Sequence, residues 1–81
     1  MNQTLDTLTL DVRPDIAAGH EPFSKIMTAA RSVATEGTLV ILAPFEPEPL
    51  YSILGRMGFT HEAQPLADGS WRIVFLRKAD A

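Results

Sequence analysis

Eighty-one residues with no cysteine and a formal net charge of −3 leave room for one hydrophobic core and exclude disulfides, thiolate metal sites and thiol nucleophiles. Apolar residues make up 46% of the chain and charged ones 21%, which suffices for a core without staples at an expected stability of about 4–12 kcal/mol. The basic residues Arg13, Lys25, Arg31, Arg56, Arg72, Arg77 and Lys78 are scattered, so no basic stripe exists to neutralise phosphates, and nucleic acid is not an expected partner.

In chain order, Leu8, Leu10 and Val12 alternate with Thr7, Thr9, Asp11 and Arg13, the period-two pattern of a strand with one wet face. Pro14 stops it, and Asp15–Glu21 forms a connection. From Pro22 the apolar positions Phe23, Ile26, Met27, Ala30, Val33 and Ala34 recur three and four apart, predicting an amphipathic helix of about three and a half turns. Pro22 suits the first turn and Gly37 the C-terminal stop. Thr38–Ala43 is apolar on both faces and reads as an interior strand. After Pro44–Pro49, a second helix carries Leu50, Ile53, Leu54 and Met57 inward and closes at Gly58. The last third is a hairpin, Phe59–Leu66 and Trp71–Arg77, joined at Asp68-Gly69. Pro65 suits an edge strand, and the apolar Arg72–Leu76 run suits an interior one.

The longest apolar run, Leu39–Ala43, falls far short of the ~20 residues that span a bilayer. Met1–Leu10 has neither the basic nor the apolar region of a secretion signal. The expectation is a single soluble, cytoplasmic domain over residues 1–81 with no membrane partner. A strand, helix, strand crossover makes the first two strands parallel and puts both helices on one side of the sheet. The other face is then bare, lined by Thr7, Thr9 and Asp11 with one alternate set from the last strand. The larger set, Trp71, Ile73 and Phe75, is expected to face the helices.

Leu10–Pro14 (LDVRP), His20–Met27 (HEPFSKIM), Ala43–Phe59 (APFEPEPLYSILGRMGF) and Asp68–Arg77 (DGSWRIVFLR) together resemble a small bacterial family of domains of unknown function, number 2249, a neighbour of the TusA/SirA sulfur carriers. The likeness covers roughly Leu10 to Arg77, and Pro44–Tyr51 is its most specific part. It implies an α+β fold, a two-layer βαβαββ sandwich with a mixed four-stranded sheet in the order 1-2-4-3 and two helices on one face. The sulfur carriers place a C-P-x-P motif at the start of their first helix, where the helix dipole favours a thiolate. The matching positions here are Gly19, His20, Glu21 and Pro22. With no thiol, persulfide transfer does not carry over.

Parallel neighbouring strands deliver their C-terminal ends to one rim, so the Arg13–Glu21 and Pro44–Pro49 connections should meet there. The candidate ligand-binding residues on that rim are Arg13, His20, Glu21, Phe45, Glu46 and Glu48, with Asp15 beside them. Arg13 could grip a small anion or pair with Asp11, Asp15 or Glu46. Glu21, Glu46 and Glu48 also suit the first turn of a helix through its dipole. Phe45 and Tyr51 could anchor a partner or cover the core. His20 is the one candidate metal ligand, but no ligand spacing such as H-x-x-x-H occurs, so neither a metal site nor a cofactor is assigned. Ser24, Ser52 and Ser70 have no histidine at a spacing that suggests an activated nucleophile.

These residues favour a non-enzymatic interaction or accessory module that docks a protein partner or small ligand, with a homodimer through the bare sheet face as one form of partnership. The alternative is a small-anion or metal-binding accessory protein using His20, Glu21, Glu46 and Arg13, which the resemblance would place in redox or nitrogen-oxide metabolism.

Overall fold

A computed structural model describes residues 5–78. The elements are β1 (Leu5–Asp11), α1 (Arg13–Ala17), α2 (Phe23–Ser32), β2 (Val33–Ala43), α3 (Glu48–Arg56), β3 (Phe59–Pro65) and β4 (Trp71–Arg77). The strands form one mixed sheet ordered β1-β2-β4-β3. β1 and β2 run parallel, and β4 runs antiparallel to both β2 and β3. The two interior strands are those with apolar residues on both faces, and Pro65 ends the edge strand β3, where a missing N–H costs no interior ladder bond.

The register decides which side of each strand is covered. Leu39, Ile41 and Ala43 of β2 lie opposite Phe75, Ile73 and Trp71 of β4, and this set packs against Ile26, Met27, Ala29 and Ala30 of α2 and Leu54 of α3 in one core cluster. Trp71, Ile73 and Phe75 therefore face the helices, as expected. Phe59 meets Phe75 edge to face at 6.3 Å between ring centres, a favoured aromatic geometry. On the open face three cross-strand rows follow from the pairing: Thr7, Thr38, Leu76, Thr60; Thr9, Val40, Val74, Glu62; and Asp11, Leu42, Arg72, Gln64. Leu76, at 42%, is the large apolar side chain of this face that stays exposed.

Three boundaries differ from the sequence expectation. The first strand ends at Asp11 rather than Arg13, and the connection contains a third helix, α1. Pro14 sits in the first turn of α1 instead of merely stopping the strand, because proline is tolerated there, and the Val12 and Pro14 carbonyls accept from the Ile16 and Ala18 amides at 3.1 and 3.0 Å. α2 ends at Ser32, and Val33 and Ala34 enter β2. Gly37 is not the helix stop: it is a buried part of β2, and Glu36 takes the left-handed conformation with φ 68°. The long-range partner that fixes the helix end is Arg77, whose Nη1 donates to the Val33 carbonyl at 3.0 Å and the Ala30 carbonyl at 3.5 Å. A cation at the last turn also complements the helix dipole. No helix of the described residues is long and apolar enough to cross a membrane.

Candidate functional site

The C-terminal ends of β1 and β2 open onto a cavity of about 480 Å³ between α1, α2 and α3. Its floor is made by Val12, just past β1, and by Ile41 and Ala43 of β2, with Ile26 of α2 and Leu50 and Ile53 of α3 along the walls. Val12, Ile41 and Ala43 are each at most 1% exposed, so the floor is also part of the core. The rim is formed by Gly19–Phe23 on one side and by Phe45, Pro47 and Pro49 on the other. Two phenylalanines stand open to water there, Phe23 at 41% and Phe45 at 52%. Phe23, a helical-spacing position expected to face inward, lies instead at the mouth, where it is the first residue of α2.

The six candidate residues separate into two groups. His20, Glu21 and Phe45 line the cavity; Arg13, Glu46 and Glu48 do not line it. His20 is exposed and its backbone N–H donates to the Asp15 carbonyl at 2.8 Å. Glu21 Oε1 accepts the Phe23 backbone N–H at 2.6 Å, satisfying one donor that the start of α2 leaves without an intrahelical partner. Glu46 faces away toward α3, where the Tyr51 hydroxyl donates to its Oε2 at 3.0 Å. Burial, and then this carboxylate, push the Tyr51 hydroxyl up to about 12. Glu48 stands exposed in the first turn of α3, a position the dipole favours for an anion.

Arg13 turns outward and binds Asp11 side by side, Nε to Oδ1 and Nη2 to Oδ2, both at 2.9 Å. Its Nη1 also lies 3.7 Å from Asp68 Oδ2 in the β3–β4 turn. Hydrogen bonds from Arg13 hold the Asp11 carboxyl below the usual carboxylate range, and the Ser70 backbone N–H does the same for Asp68. Asp15 is engaged by Lys25 Nζ at 3.1 Å. Among the described residues no three His, Asp or Glu side chains gather where a metal ion could be held; His20, Glu21 and Glu46 do not form such a set.

Three features of this end were not picked out from the residues alone. From the sequence Asp68 reads only as a turn signal, and its tie to Arg13 depends on the hairpin bringing its turn within 3.7 Å of that side chain. Tyr51 stacks on His61 at 3.7 Å between ring centres and 7° between planes, a pair ten positions apart that only the α3–β3 packing brings together. The density of proline around Phe45, which fixes the backbone angles of this connection, is the one sequence signal that could have pointed to the cavity.

A thiol-free α+β layer with two strand-to-helix connections around an apolar recess defines the class. The family model "Uncharacterized conserved protein (DUF2249)" matches residues 9–77, and the chain belongs to that family. No curated protein and no solved structure matches the chain.

Proposed function

We propose that the chain is a non-enzymatic interaction module of the bacterial cytoplasm, TusA/SirA-like in layout, that receives an apolar group of a partner molecule in the cavity between its helix starts. The single observation that carries this reading is the recess of about 480 Å³ with Phe23 and Phe45 exposed at its mouth. Its volume falls in the range of pockets that enclose small ligands, and such sites are mostly apolar with a few polar groups at the edge. Covering the two rings and the recess removes apolar surface from water at about 25 cal/mol per Å². The positions where sulfur carriers keep their motif, Gly19 to Pro22, form one lip of the recess, so the place of contact is retained and the chemistry is not.

The anion or metal reading draws less support. Arg13 is committed to Asp11 and Asp68, and Glu21 and Glu48 place carboxylates at the starts of both long helices. A homodimer through the open sheet face also has less to offer than the recess, since exposed Leu76 lies between Thr38 and Thr60, and the next row carries Glu62 beside Val74 and Val40.

Fluorescence titration with the neutral apolar probe N-phenyl-1-naphthylamine tests the reading. The protein should raise and blue-shift the emission, and Leu50→Trp, which fills the mouth, should abolish the effect while the thermal melt stays cooperative. A flat titration with the unaltered protein removes the proposal, as does undiminished binding by the Leu50→Trp variant.

A further inference from the structure

Resting on the cavity reading, we infer that the occupant is a segment of a protein partner in which bulky apolar side chains are flanked by lysine or arginine. Negative charge is left over at the mouth. At this end of the sheet Asp11 and Asp15 are matched by Arg13 and Lys25 at 2.9 and 3.1 Å, and Asp68 shares Arg13 at 3.7 Å. Glu21, Glu46 and Glu48 have no cation within ion-pair distance among the described residues. Glu21 lines the cavity, and the two others alternate along the chain with Phe45, Pro47 and Pro49, which also line it. Glu46 is turned toward Tyr51, so Glu21 on the lip and Glu48, exposed at the start of α3, set the sign of the mouth, over the roughly 8 Å that screening leaves at physiological salt. An acidic segment is repelled, whereas a lysine or arginine beside the inserted side chain meets unpaired carboxylates. The exposed rings and prolines of the rim suit a peptide surface, because aromatic residues are enriched where protein partners meet.

The test uses the full chain and three end-blocked tetrapeptides, Lys-Leu-Phe-Lys, Ser-Leu-Phe-Ser and Glu-Leu-Phe-Glu, followed by backbone amide shifts in NMR titrations. The amides of Gly19 to Glu21 and of Phe45 and Glu46 should move, with the lysine peptide bound about 5–10-fold more tightly than the glutamate one. The serine peptide should fall between. That spread should narrow in the double variant Glu21→Gln, Glu48→Gln, in which glutamine keeps an oxygen for the Phe23 amide. Equal binding of all three peptides overturns the charge inference and leaves the cavity reading standing. No shift with any of them overturns both. Hexylammonium moving the same amides at lower concentration than the lysine peptide assigns the chemistry to a small amine and overturns the protein partner.

Discussion

Between β1 and α2 the chain runs through residues 12–22 with a helical turn, a left-handed glycine and ion pairs at either side; between β2 and α3 it needs only residues 44–47. The first connection is held by polar links: Arg13 to Asp11 and Asp68, Lys25 to Asp15, and Glu21 to the Phe23 amide. The second is held by proline stiffness, the burial of Pro47 and one hydrogen bond from Tyr51 to Glu46. Both meet over the same apolar floor. The recess therefore has one wall tied by polar links and one stiffened by proline.

The largest effect should come from the floor the two connections share. Ile41 is fully buried, lies between Leu10 and Ile73 in the sheet and also faces the cavity. Ile41→Ala should cost about 2–5 kcal/mol in urea unfolding, because the removed atoms leave a void that rigid strands cannot close. In a chain of this size that is a large share of the total. A loss below about 1 kcal/mol would mean that the floor relaxes freely and that the connections do not rest on a common base.

How much of this was legible depended on the range of the forces involved. The choice of edge and interior strands, the two long helices and the inward-facing set Trp71, Ile73 and Phe75 follow from period and apolarity, which are local in sequence, while the full strand order comes from the family resemblance. The end of α2 was not legible, because Val33 fits a helical pattern equally well and is drawn into β2 by pairing with Leu5 and by the Arg77 guanidinium. α1 was hidden by reading Pro14 as a terminator. At the rim, meeting of the two connections could be foreseen from parallel strands. Whether each charged residue faced the cavity could not: Asp11 was one of several partners open to Arg13, and Glu46 is held by the Tyr51 hydroxyl only once α3 has formed.

A smaller effect should separate the two connections directly. Gly19 adopts φ +82° where the first connection turns toward α2, and nothing lies within 4 Å of a Cβ placed there. Gly19→Ala should therefore destabilise through backbone strain alone, by about 1 kcal/mol, with no steric clash to add. The second connection contains no positive-φ residue among residues 44–47, so alanine at Phe45 should leave unfolding nearly unchanged while removing an exposed ring. Equal losses from both changes would erase the distinction between a strained turn and a stiff one.

The smallest effect is in the pH dependence, where each connection should govern a different limb. The Asp11 carboxyl is lowered from 3.8 by Arg13, and Asp68 is lowered from the same value chiefly by the Ser70 amide. A depressed carboxyl contributes stability that is present above the unfolded value and lost as pH falls through the folded one, so this contribution fades below about pH 3.8. Tyr51 titrates the other way. Its hydroxyl is raised from 10.0 to about 12, and a raised acid contributes stability that is present below 10 and lost as pH climbs toward 12. Arg13→Met, which keeps an apolar stem, should remove the Asp11 share of the acid limb in a plot of melting temperature against pH, leaving the part that Asp68 owes to Ser70 and leaving the alkaline limb intact. Tyr51→Phe should do the reverse. Salt should shrink the acid contribution, since Arg13 and Asp11 are about a third exposed and screened, but barely touch the alkaline one. An acid limb unaltered by Arg13→Met would show that the first connection is not held by its charges, and the contrast between a polar and an apolar wall would lose its basis.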